Sequence, residues 1–198
     1  SRVGSLELGF VNKVFDGDFS KKLKEQINKN KPVLFLLGLD EIDPKSLEES
    51  FVVYCGHHGD INAQHADIIL PTPAYTEKSS TFMNIEGRVI QTSRCHNPLG
   101  DSKEEWKIFR VLSDLLSCHL DFNNLNDVRK KLVNENKNFL ALLEVTNSSK
   151  LSFSSKEKIK DENISYNIKN FYMNDSISRS SETMAKCTNE ILNKARAS

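Results

Sequence analysis

At 198 residues the chain is long enough for one domain with appendages, and its apolar content of 38% supports a real core. Lysine plus arginine (27) equals aspartate plus glutamate (27), so bulk charge gives no argument for a nucleic-acid or membrane-surface partner. No apolar run approaches the roughly 18–20 residues that a spanning helix needs, so no direct membrane span is expected. The start, SRVGSLELGFVNKVF, lacks the basic flank and apolar core of a secretory signal, and it lacks an initiating Met. A processed, truncated or unusually started chain is expected.

Asp18 to Asn30 places Phe19, Leu23 and Ile27 four residues apart, the spacing of one helical face. Lys31-Pro32 ends that helix and opens VLFLLG, an apolar run closed by Gly38. The run does not alternate, which predicts a strand buried on both faces, as in a parallel sheet covered by helices. A polar connection from Asp43 to Glu49 leads to a second run, Phe51 to Cys55, followed by the turn Gly56-His57-His58-Gly59. Asp60 is placed to cap a short helix through Ala66, and Ile68-Ile69-Leu70 makes a third strand stopped by Pro71 and Pro73. Strands alternating with helical pieces predict the α/β class, here a partial parallel sheet flanked by helices.

Thr72 to Gly100 reads as a long loop. Ser102-Lys103-Glu104-Glu105 has the pattern of a capping box, and Trp106, Phe109, Leu112, Leu116 and Leu120 follow at three- or four-residue steps. Leu125, Val128 and Leu132 predict a further helix from Asp121 to Leu132. Asn147 to Asn170 is polar and poorly patterned and receives no structure. A last helix is expected from Ser176 to Ala195, with Ile177, Met184 and Ile191 as a thin stripe that needs a docking partner. Residues 1–120 are thus expected to form the α/β part and residues 121–198 a helical and irregular extension. Three short strands leave an open edge, so another segment or another chain is expected to complete the sheet.

Cys55, Cys95, Cys118 and Cys187 are scattered and form no C-x-x-C, whereas zinc and iron–sulfur sites draw thiolates from short paired spacings. They read as reduced thiols in a reducing compartment, with no cluster in this chain. The Gly56–Asp60 turn follows a strand, where open α/β sheets place their ligand crevice. Its histidines, with Asp60 and joined by His65 or His96, raise a metal site. Adjacent residues tend to point to opposite sides, which favours a glycine-framed turn with hydrogen-bonded histidines instead. Glu86 and Arg88 read as a structural ion pair, with Glu77 in the same loop. His119 reads as a histidine on the dipole at a helix end, near Asp114. Ser178-Arg179-Ser180-Ser181 reads as a serine-rich helix start rather than a phosphorylation site. Neither a G-x-G-x-x-G nor a Walker A run is present, and no nucleophile motif stands out. No residue is assigned as catalytic, cofactor-binding or metal-binding.

Phe51 to Leu116 and the later FYMNDSISRSSETMAKC (Phe171 to Cys187) resemble the carboxyl-terminal part of the large iron–sulfur (75 kDa) subunit of mitochondrial respiratory complex I. Ser1 to Phe10 and VLFLLG look like that family too, while Asn123 to Ile168 diverges. Ala66 to Pro71 and Asn84-Ile85-Glu86-Gly87-Arg88 carry the resemblance to the wider molybdopterin-dependent oxidoreductases. The resemblance implies the end of a molybdopterin-oxidoreductase-like domain that has lost its cofactor and kept a structural role on the matrix side of the inner membrane. It also implies that the iron–sulfur clusters belong to an amino-terminal half, encoded separately or missing from a longer chain. The implied partners are that half and other peripheral-arm subunits of complex I. The alternative is a domain that retains a pterin or a histidine-ligated metal.

Overall fold

A computed structural model describes residues 2–9, 25, 29–39, 42–143 and 170–193. Its elements, in chain order, are α1 (Arg2–Glu7), β1 (Val33–Leu37), β2 (Phe51–Gly56), α2 (Ile61–Gln64), β3 (Ile68–Pro71), β4 (Thr81–Met83), β5 (Val89–Gln91), α3 (Glu105–Leu115), α4 (Leu125–Glu135), α5 (Ser176–Arg179) and α6 (Glu182–Cys187). Two compact units form. One combines Ser1–Ser20 with Pro71–Ser155, and the other combines Lys21–Leu70 with Lys156–Ser198. The helix expected over Asp18 to Asn30 lies outside the described residues except at Glu25, Lys29 and Asn30. So does the unassigned stretch from Asn147, apart from Asn170.

The second unit is built on a sheet of order β1-β2-β3. β1 and β2 run parallel, with Val33 opposite Phe51 and Leu37 opposite Cys55. Asp67, one residue before β3, donates its N–H to the Val52 carbonyl at 2.9 Å and accepts the Val52 N–H on its carboxylate at 2.7 Å. A strand that starts beside its neighbour's start and still pairs along it must run parallel to it. The expected α/β class with a small parallel sheet is therefore present.

The core of this unit is Leu36, Leu47, Val52, Tyr54 and Ala63, with Leu34, Ile42 and Ala66 packed at its border. Leu47 arrives through a single 3-10 turn, Pro44–Ser46, whose start is capped by the Asp43 carboxylate on the Lys45 N–H at 3.2 Å. Each aliphatic side chain buried here contributes about 1.5–3 kcal/mol of transfer free energy.

The expectation that VLFLLG is buried on both faces is not met. Leu36 is buried and Leu34 half-buried, but Val33 (57% exposed), Phe35 and Leu37 (53%) alternate with them in water. β1 sits at an end of the three-stranded sheet, and composition alone does not reveal whether both faces of a strand find cover. β2 lies between its neighbours and is buried from Val52 through Gly56.

The first unit contains a hairpin inside the stretch expected to be a long loop. Thr81–Met83 and Val89–Gln91 pair antiparallel, Phe82 opposite Ile90. The turn between them is organised by Asn84, whose side-chain oxygen accepts the Glu86 and Arg88 N–H groups at 3.0 and 2.9 Å, with Gly87 at φ 83°. Strands of three residues give too few positions for a two-residue period to show. Met83, Val89 and Phe139 form the core, flanked by Val3, Leu132 and Val133. Asn136 and Asn138 clasp Glu7 by amide donors at 2.8 to 3.0 Å, which ties the end of α4 to α1.

α4 occurs where the spacing predicts it, shifted to Leu125–Glu135, with Asn124 capping the Asp127 N–H at 3.0 Å. The last predicted helix is broken. α5 closes at Ser180, whose hydroxyl bonds back to the Ser176 carbonyl at 2.9 Å, and Ser181 in extended conformation starts α6. A π-helical segment, Thr188–Asn193, continues it, and Ala195 lies outside the described residues. Among the described residues no helix is long and apolar enough to cross a membrane.

Removing the Asp67 carboxylate leaves the Val52 N–H without its acceptor, at a cost of about 1–3 kcal/mol. Asp67→Leu is expected to accelerate hydrogen exchange at the Val52 amide, while Asp67→Asn, which retains an acceptor, changes it far less.

Candidate functional site

The carboxyl ends of β1 and β2 are joined by the Gly38 N–H, which donates to the Cys55 carbonyl at 2.7 Å, and Gly38 turns away with φ +58°. Beside it stands the turn Gly56–Asp60. A Cβ on Gly56 would lie 2.5 Å from the Tyr54 ring, so any other residue there requires that ring to move. The Tyr54 hydroxyl donates to the His58 carbonyl at 3.2 Å and fixes the far side of the turn.

The two histidines do not diverge as expected. Their Nδ1 atoms are 2.6 Å apart and their rings meet edge to face, centroids 4.9 Å apart. The alternation rule belongs to extended strands; in a glycine-framed turn successive side chains can converge. This contact engages both Nδ1 atoms, one as donor and one as acceptor. His65 and His96 each donate through Nδ1 to a backbone carbonyl, of Ile61 at 2.9 Å and of Asn97 at 2.7 Å. Among the described residues no three His, Cys, Asp or Glu side chains gather as a metal site.

Asp60 caps α2 as expected, accepting the Ile61 N–H at 2.8 Å on one carboxylate oxygen. Its other oxygen receives Arg179, through Nε at 2.7 Å and Nη2 at 2.6 Å. No periodicity or motif signals this pair, because its members are 119 residues apart. Asn62, fully buried, donates its amide to the Leu39 carbonyl at 3.1 Å, and its side-chain oxygen has no hydrogen-bond partner among the described residues.

The remaining candidates serve local structure. Glu77 accepts the Ala74 N–H at 3.0 Å, and Glu86 lies 3.8 Å from Arg88, which also donates to the Leu143 carbonyl. His119 bonds the Asp114 carboxylate at 2.8 Å rather than acting through the helix dipole alone. Hydrogen bonds from Arg110 and then His119 hold Asp114's carboxyl below its usual range. The capping box at Ser102 does not form: that hydroxyl donates to the Leu99 carbonyl at 2.7 Å, and the helix starts three residues later at Glu105. Glu104 instead accepts the Trp106 Nε1–H and the Lys107 ammonium, both at 2.9 Å. Burial pushes the Glu104 carboxyl up, but those bonds and the Lys107 and Arg94 charges outweigh it and leave it lowered. A shallow cavity of about 350 Å³ opens between Ser79, Ser93, Arg94, Glu104, Trp106 and Leu125. Ser178 belongs to a capping box with Asp175, in keeping with a serine-rich helix start.

A family profile described as "Molybdopterin oxidoreductase" matches residues 1–115. The chain belongs to the molybdopterin oxidoreductase family. Its later part, residues 135–187, matches a second profile, that of the C-terminal domain of the NADH-ubiquinone oxidoreductase G subunit. The mitochondrial NADH-ubiquinone oxidoreductase 78 kDa subunit of Candida albicans is 39% identical over 203 residues, covering 94% of this chain and 26% of its own length. The NADH-quinone oxidoreductase G subunit of Rickettsia bellii is 39% identical over 187 residues, with the same coverages. The NADH-ubiquinone oxidoreductase 75 kDa subunit of Reclinomonas americana is 37% identical, covering 95% of this chain and 27% of its own. The chain thus spans about a quarter of the length of these relatives. Acetylene hydratase from Pelobacter acetylenicus is similar over 50% of this chain and 16% of its own, at 21% identity and a TM-score of 0.42. The resemblance to the 75 kDa subunit family and the molybdopterin-type α/β class both stand.

Gly56→Ala forces the buried Tyr54 ring to move and is expected to cost about 1–3 kcal/mol, read as faster proteolysis at the turn. Gly59→Ala, where an added carbon meets nothing within 4 Å, is the neutral control. The Ser178 N–H, followed by other bonds from Ser178 and Ile177, lowers the Asp175 carboxyl below its ordinary 3.8. A carboxyl depressed in the folded state stabilises fully above its unfolded value and loses that contribution as pH falls through the folded one. The Ser178 amide resonance is therefore expected to titrate with a midpoint below pH 3.8.

Proposed function

We propose that this chain is the carboxyl-terminal structural part of the large iron–sulfur subunit of complex I, the proton-pumping NADH:ubiquinone oxidoreductase. Residues 1–120 close the molybdopterin-type domain and residues 121–198 form its extension. The chain completes the matrix-side peripheral arm and supports electron transfer from NADH to quinone without contributing a redox centre or a catalytic residue. The iron–sulfur clusters belong to the amino-terminal part of that subunit, against which these residues pack alongside other peripheral-arm subunits.

The observation that carries this reading is the NADH-ubiquinone oxidoreductase C-terminal match over residues 135–187, on a chain aligned over 94% of its length with a mitochondrial relative at 39% identity. Surface chemistry supports a docked existence. Among the described residues, exposed large apolar side chains outnumber the buried ones, with Val111, Leu115, Leu116, Leu140 and Leu143 all facing solvent. Such side chains are surface that a docking partner would bury.

The family name implies a pterin, and the turn at the sheet's carboxyl end does not fit such a group. Asp60 is taken up by Ile61 and Arg179, His57 and His58 engage each other, and Asn62 is fully buried.

Native gel electrophoresis with mass spectrometry of the source membranes tests the proposal. The chain is expected in the band that carries NADH dehydrogenase activity, together with a cluster-bearing partner. Recovery only as a free species overturns membership, and stoichiometric molybdenum, tungsten or pterin bound to this chain overturns the structural role.

A further inference from the structure

Arg179 lies inside the segment matched by the NADH-ubiquinone oxidoreductase C-terminal profile, whereas Asp60 lies inside the segment matched by the molybdopterin oxidoreductase profile. Both belong to one compact unit. Asp60 ends the turn that follows β2, the position at which open parallel sheets receive their ligands. Its carboxylate is 11% exposed, and the Arg179 side chain 27%. At that degree of burial an unpaired carboxylate is costly, and a guanidinium that supplies two N–H donors compensates it.

Arg179 is delivered there by its own local structure. The Asp175 carboxylate accepts the Ile177 and Ser178 N–H groups at 2.9 Å, and the Ser178 hydroxyl meets the Asp175 backbone at 3.0 Å, which closes a capping box on a helix of one turn. The Arg179 N–H completes that turn on the Asp175 carbonyl at 2.9 Å. Farther along, Asn170 and Thr188 bond at 3.1 Å and tie the two ends of the segment together. The segment is thus a closed loop of short helices with one guanidinium extended toward the sheet.

We propose that the carboxyl-terminal extension is an internal ligand of the sheet: Arg179 docks on Asp60, anchors α5 and α6 there, and satisfies the turn from within the chain. The inference draws on the assignment of residues 135–187 to the extension of the complex I subunit, while the contact itself does not depend on membership in complex I. The interaction surface is the Asp60 turn, and its occupant is the segment from Asn170 to Asn193.

The test is hydrogen exchange by mass spectrometry on the protein in its purified assembly, comparing wild type with Arg179→Leu, Asp60→Asn and the double variant. Asp60→Asn retains the cap on the Ile61 N–H and removes the charge. Each single variant is expected to speed exchange in Ser176–Cys187 roughly tenfold, the scale of a lost charged hydrogen bond. The double variant is expected to match the singles, because both remove the same interaction. Unchanged exchange in Arg179→Leu, or additive effects in the double variant, overturns the proposal. If Arg179→Leu does not accumulate, Asp60→Asn alone decides, and wild-type exchange in it counts against docking. Co-migration of wild type with the NADH dehydrogenase band is scored separately, so a failed complex I assignment is distinguished from a failed anchor.

Discussion

Leu36, Val52 and Tyr54 are out of water, while Val33, Leu37 and Phe51 beside them are not, and a single pleated sheet separates the two sets. The connection through Leu47 and the short α2 cover the first set. The same sheet buries Val53 and Cys55 on β2 but leaves the outward residues of β1 open. Apolar supply beyond the interior available is the constraint behind the rest of this chain. The two small cores among the described residues do not absorb it, and the surplus stays at the surface.

With small cores, polar contacts take on much of the work of fixing register. Asp67 grips both the N–H and the C=O of Val52, so β3 cannot slip without breaking two bonds to one residue. Glu7 holds two asparagine amides that follow α4. Asp60 serves helix and arginine at once. Such bonds contribute about 1 kcal/mol each when exposed and more when a charge is half-buried, so position matters more than number.

No side chain in the segment from Asn170 to Asn193 is fully buried. Ile177 and Ile191 stay exposed, which agrees with the thin stripe visible in sequence. Its order comes from capping chemistry, Asp175 with Ser178 and Ser181 with Met184, and from the arginine that reaches the sheet.

Several features were legible because their causes are local. The three sheet strands, the Asp60 cap and α4 each follow from neighbours within a few residues. Motif order was equally legible and carried the family assignment. The Ser102 capping box was legible and wrong, since the helix starts at Glu105 and leaves Ser102 before its cap position, with its hydroxyl donating to the Leu99 carbonyl. The hairpin from Thr81 to Gln91 escaped because three-residue strands have no readable period, and the convergence of His57 with His58 because strand alternation does not extend through a turn. Sequence by itself determined which segments are apolar, where turns fall and which family the motifs belong to. Only tertiary structure decided which face of β1 is covered, and that Arg179 closes on Asp60, because burial and long-range pairing depend on what the chain brings from far away.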